Sequence, residues 1–122
     1  MNCTLCHATV EKMARAGLPK AATCMICHQA VKKDSPAIQR LAALDKDAAV
    51  PVSPLPYRIP DFVFFSHATH VMAKVQCESC HGDVCQFDLA KPATPPKMMG
   101  CVNCHKASHA KVECAVCHEL SQ

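Results

Sequence analysis

Five times in 122 residues the chain writes Cys-x-x-Cys-His. The copies are Cys3-Cys6-His7, Cys24-Cys27-His28, Cys77-Cys80-His81, Cys101-Cys104-His105 and Cys114-Cys117-His118. Two thiols three positions apart match the two vinyl groups of one porphyrin, and the next imidazole then lies under the iron. A disulfide framework has no reason to place a His after the second Cys of every pair. Zinc sites use paired Cys-x-x-Cys elements without an obligatory His, and a thioredoxin-like motif occurs once, ahead of a helix. Five repeats point to haem c. The ten motif cysteines are therefore expected to form thioethers to five haems, with His7, His28, His81, His105 and His118 as proximal ligands.

Composition agrees with that density. Half of the residues are apolar, but 11 are Cys and 18 are Ala, and only 25 are Val, Ile, Leu or Phe, with no Trp. That is near the level at which a side-chain core fails to form. Stacked haems are expected to be the core, with the chain as a thin wrapper that folds only when they attach. The expected fold is a multihaem cytochrome c, mostly irregular, with a few short α-helices and little or no strand. Net charge is +3 with no basic run, which gives no case for nucleic acid, and no 18-residue apolar stretch is present to span a membrane. Haem attachment takes place outside the cytoplasm, so a periplasmic or extracellular location is expected, the outer face of the cytoplasmic membrane included. With the first haem cysteine at residue 3, the sequence is expected to be a mature form or part of a longer chain.

Spacing divides the chain. Sixteen residues separate His7 from Cys24, 48 separate His28 from Cys77, 19 separate His81 from Cys101, and eight separate His105 from Cys114. The expected units are a dihaem unit over 1–34, a helix and Pro-rich strap over 35–60, and a trihaem unit over 61–122. Ser35 as N-cap, Pro36 as first helical residue and the stripe Ile38, Leu41, Leu44 predict a helix. Pro51, Pro54, Pro56 and Pro60 predict an extended strap. Further helices are predicted over Ala8–Ala16, closed by Gly17, and around Phe65–Val71, with Phe62–Phe64 the one candidate extended pair.

The sixth iron ligand must approach from the face opposite the proximal His. His109, four residues after His105, is thereby excluded from that haem, as is Cys85 from the haem of His81. Met13 is excluded from the first haem but within reach of the second. Each has an ordinary reading too: Met13 as packing, His109 as an exposed or propionate-bonding residue, Met25 as a surface residue and Cys85 as an unpaired thiol.

The run Phe64-Phe65-Ser66-His67-Ala68-Thr69-His70, six residues before Cys77, resembles the class III cytochromes c, the tetrahaem c3 and trihaem c7 types. Residues 61–122 carry the resemblance. It implies that His67 caps the haem on Cys77/Cys80 and His70 the haem on Cys101/Cys104. It also implies a ligand just upstream of Cys101 for the haem on Cys114/Cys117. This chain has Met98-Met99 there in place of His, which makes Met98 the candidate and leaves porphyrin packing as the alternative. The whole layout is similar to the pentahaem cytochrome subunits of alternative complex III and related quinol-oxidising assemblies. That implies electron transfer between redox protein partners, from a quinol-oxidising or other respiratory donor to an oxidising acceptor, with no catalytic residue of its own. Two alternatives are a subunit of an extracellular cytochrome filament, where copies of the chain are the partner, and a multihaem reductase with an open iron site.

Overall fold

The computed structural model describes residues 2–50, 59–86 and 97–119. Most of the Pro-rich strap, including Pro51, Pro54 and Pro56, lies outside the described residues. Each Cys-x-x-Cys-His copy lies on a helical turn. The first occupies a 3-10 turn, Cys3–Leu5. The others form or close α1 (Ala21–His28), α4 (Glu78–His81), α5 (Met98–Ala107) and α6 (Cys114–Cys117). α2 (Pro36–Ala42) and α3 (His67–Met72) carry no thiol. Among the described residues the extended structure amounts to two isolated antiparallel bridges, Lys20 with Ala49 and Val63 with His118. Among the described residues the architecture is short helices on an irregular chain without sheet, as expected from the sequence.

The Cys-x-x-Cys spacing explains the turns. Residues three apart share a helix face, so one turn presents both thiols together. The turn is closed by the His amide, which donates to the first Cys carbonyl at 2.9 Å in the His7, His81 and His118 copies alike.

α2 begins as its sequence predicts, with Ser35 extended at the N-cap and Pro36 at the first position, although the Ser35 side chain makes no capping bond. Leu44 falls beyond the helix end, yet it still joins Leu41 in facing Met25 and Ile26 of α1 across an open apolar cleft. The following loop then returns to α1. Ala48 and Lys46 carbonyls accept from the Ala21 and Ala22 amides at 3.0 and 3.1 Å, satisfying two of the donors that a helix start leaves free. Lys20 pairs with Asp47 at 3.0 Å, an exposed contact worth little by itself.

α3 owes its position to Phe65 and Ser66. The Ser66 hydroxyl caps the Thr69 amide, and Phe65, just outside the cap, packs on the His70 ring with centroids 4.7 Å apart. This is the hydrophobic-staple relation across a helix start. Both α3 and α5 end in the same way. Lys74 and His109 adopt left-handed φ angles of 60° and 54°. The amides that follow, of Val75 and Ala110, reach back to the His70 and His105 carbonyls at 3.0 and 2.8 Å. Gly is the usual residue at this position; neither helix has one.

The helix expected over Ala8–Ala16 does not form. The segment is a series of turns, with the Lys12 and Met13 amides both donating to the Thr9 carbonyl and the Thr9 hydroxyl donating to the Ala16 carbonyl at 2.7 Å. In a helix Thr9 and Ala16 would stand about 10 Å apart along the axis, so the bond between them excludes one, and the Ala14 carbonyl is turned outward to α3. Gly17 does adopt the expected left-handed conformation, φ 73°. Among the described residues only Val10 and Ala21 are buried, so the polypeptide assembles almost no side-chain core of its own.

Candidate haem-binding site

The histidines share one device. Each of five imidazoles has Nδ1 against a main-chain carbonyl: His7 on Gly17 at 2.8 Å, His28 on Val31 at 3.1 Å, His67 on Ala14 at 2.9 Å, His70 on Ser66 at 2.8 Å and His105 on Lys111 at 2.7 Å. A carbonyl only accepts, so Nδ1 carries the proton and, in the neutral ring, Nε2 presents its lone pair. That is the tautomer a metal-binding imidazole needs, and such an acceptor also orients the ring and raises its basicity.

Two pairs of imidazole rings lie close together, one of them including His81. The His67 and His81 centroids lie 6.3 Å apart with planes inclined by 14°, and those of His70 and His105 lie 6.1 Å apart at 48°. Two imidazoles binding one metal from opposite sides, with each nitrogen about 2.0–2.1 Å from it, have centroids roughly 6.3 Å apart. Both observed separations match that value. Phe65 wedges the first members of both pairs, its ring 4.8 Å from His67, edge on, and 4.7 Å from His70.

Burial lowers the His81 pKa, and the neighbouring His67 and His7 charges lower it further, which favours the neutral, ligating ring. The thiols of different motifs also adjoin. Partial burial raises the Cys80 pKa, followed by the charges of Cys104 and Cys101. Burial and then Cys6 raise Cys24, and burial and then a hydrogen bond with Cys3 lead the rise at Cys77. Attachment points from both ends of the sequence thus crowd together. The His118 ring stacks on Phe62 at 5.9 Å, and the Phe64 amide donates to the Cys117 carbonyl at 2.8 Å.

The remaining candidates are placed as follows. Met98 is the exposed first residue of α5, on the helix face of Cys101 and His105 by its spacing. Met13 is exposed in the turns that follow the first motif. His109 is the left-handed residue that ends α5, a role that asks nothing of its ring. Met25 is half-buried against Leu41 and Leu44 rather than held at the surface, and Cys85 falls on the 3-10 turn Val84–Gln86. Among the described residues no second imidazole stacks on His7, His28 or His118. The carbonyl acceptors went unseen in the sequence, because every residue type supplies one.

Thiol pairs on helical turns, each delivering a following imidazole, in a chain nearly without a side-chain core define a multihaem c-type cytochrome. No family model matches the chain. It is similar to the multihaem cytochrome c subunit of menaquinone reductase from Nitratidesulfovibrio vulgaris (strain Hildenborough), with 31% identity over an alignment, gaps included, of 146 positions that takes in 98% of this chain and 70% of the relative. The chain belongs to that family of multihaem cytochrome c subunits. It carries electrons by way of covalently bound haem c, as a carrier subunit of the kind found in oxidoreductase complexes. Among the described residues no helix is long and apolar enough to cross a membrane.

Proposed function

We propose that the chain is the electron-transferring subunit of a quinone-reactive oxidoreductase, held at the outer face of a cytoplasmic membrane by its partner subunits and carrying five haems. The observation that most supports this is the similarity along 98% of the chain to a menaquinone reductase subunit. Haem, when bound, supplies a reversible one-electron step. The chain's own residues fix where and how tightly it is held. Ten cysteines anchor it, and His7, His28, His81, His105 and His118 stand on the proximal side. His67 and His70 close the far side of the haems on Cys77/Cys80 and Cys101/Cys104, a reading supported by the 6.3 and 6.1 Å ring separations. At these two haems, ligands on both sides leave no position for a substrate, which favours a carrier over a reductase there. The relative's name favours electrons flowing to a menaquinone-type quinone, the reverse of the quinol-to-oxidant direction expected from sequence, and the proposal adopts that direction.

The test is purification of the tagged chain from its native membranes. Co-purification with an integral-membrane complex, whose dithionite-reduced haems are reoxidised by a soluble menaquinone analogue, is the expected result. A free monomer or a particle made only of this chain would overturn it.

Met98 is proposed as the axial thioether of the haem on Cys114/Cys117. The support is its position ahead of Cys101 and its place on the His105 face of α5, a tether too short to reach the far side of its own neighbouring haem. A thioether stabilises ferrous iron more than an imidazole does. Met98→His should therefore lower one midpoint potential and leave the others in place. An unchanged spectroelectrochemical titration would remove Met98 from the ligand set.

A further inference from the structure

His67 is held by a part of the chain far from it in sequence. Its amide donates to the Ala14 carbonyl at 2.9 Å, and its ring Nδ1 donates to the same oxygen, also at 2.9 Å. The next amide, of Ala68, donates to the Met13 carbonyl at 3.2 Å. The contrast with His70 is informative, because that ring finds its acceptor on Ser66 within its own helix start. Fifty-three residues separate the two partners at His67, and the acceptor follows the first Cys-x-x-Cys-His motif by only a few positions.

The acceptor is itself built. Lys12 and Met13 amides fold back onto the Thr9 carbonyl, and the Thr9 hydroxyl closes the turn on the Ala16 carbonyl at 2.7 Å. Space there is tight, since a Cβ on Gly17 would come within 3.0 Å of the Thr9 hydroxyl. The turn leaves no slack for the Ala14 oxygen to drift.

We infer that the Thr9–Gly17 turn is a positioning element for the haem attached at Cys77/Cys80: the Ala14 carbonyl sets the orientation and basicity of the His67 ring, so that the N-terminal segment tunes a haem anchored in the C-terminal one. This rests on the reading of His67 as an axial ligand. The direction of the effect follows from the chemistry. A strongly accepting carbonyl on Nδ1–H makes Nε2 a better electron donor, and that favours the ferric state. A slack turn weakens the bond and raises the potential of that haem.

The experiment uses the holoprotein and two readouts, the EPR spectrum of the oxidised form and a spectroelectrochemical titration. His67→Ala first identifies the reporter, the low-spin signal that it abolishes. Thr9→Val keeps the side-chain shape but removes the hydroxyl, Thr9→Ser retains it, and a glycine inserted between Met13 and Ala14 displaces the carbonyl outright. Thr9→Val and the insertion are expected to shift the reporter's g-values and move its midpoint upward, with haem content unchanged, while Thr9→Ser behaves as the parent. The haem of His7 should shift as well, since Gly17 supplies its acceptor, so only the reporter signal decides. If His67→Ala abolishes one signal and neither turn variant moves it, the positioning role is wrong and the ligand reading stands. If His67→Ala abolishes no low-spin signal, the ligand reading falls and the inference falls with it.

Discussion

The chain with both Cys77→Ser and Cys80→Ser is expected to carry four haems where the parent carries five, and to lose its protease resistance at ambient temperature. α4 spans only Glu78–His81, far below the length at which a helix persists unaided. No side-chain core stands behind it, since Val10 and Ala21 are the buried residues among those described. Cys77 adjoins Cys3, and Cys80 adjoins Cys101 and Cys104, so this attachment lies where the N-terminal and C-terminal segments meet. Its loss removes a shared part of the core. Typical stabilities of about 5–15 kcal/mol leave little chance of surviving the loss of a buried group that large. Pyridine haemochrome per polypeptide gives the count, and limited proteolysis gives the folding state. A parent value near three or four, or a variant as resistant as the parent, would show that the motifs are not all haem sites or that the core lies elsewhere.

Replacing His67 or His70 by Ala should each convert one haem from low spin to high spin without releasing it, because the thioethers and the proximal ring remain. The two losses should differ in the EPR spectrum. Near-parallel imidazole planes, at 14° for His67 and His81, split the two iron orbitals that interact with the ligand π systems and give a rhombic signal. Planes rotated by 48°, as for His70 and His105, reduce that splitting and move the largest g-value upward. His67→Ala should therefore remove the more rhombic signal and His70→Ala the one of larger maximal g. If either variant keeps its full low-spin complement, that histidine packs beside a haem and does not bind it. The high-spin haem left behind should also bind cyanide or imidazole from solution, an independent measure of an opened position.

Much of this architecture was legible because the chemistry writes itself in residue types. The thiol spacing, the following His and the scarcity of large aliphatics each state their purpose. So does Ser35-Pro36 at the start of α2, while the cap at Ser66 was not read and α3 begins two residues after the predicted Phe65. The segment after the first motif was misread for a definite reason. Ala8, Ala14 and Ala16 have high helix propensity, but Thr9 binds the turn through both its carbonyl and its hydroxyl, and α3 claims the Ala14 oxygen. The Thr9–Ala16 bond, which a helix does not permit, overrides local preference. The left-handed ends of α3 and α5 were hidden because Lys74 and His109 stand where Gly would have announced them. Sixth ligands for His7 and His28 depend on how separate turns meet, which no spacing rule encodes.

The acceptors behind the imidazoles have a consequence for how such a protein diversifies. Gly17, Val31, Ala14, Ser66 and Lys111 all act through their carbonyl oxygens, and no exchange of one side chain for another deletes a carbonyl. An orienting carboxylate, by comparison, is lost in a single codon change. The acceptor at each ring therefore survives any substitution at its own position and is displaced only by changes in the turn that holds it, such as a lost side-chain bond or an altered loop length. A change in loop length between the motifs is therefore expected to retune the potentials more than a side-chain exchange that leaves the turns intact.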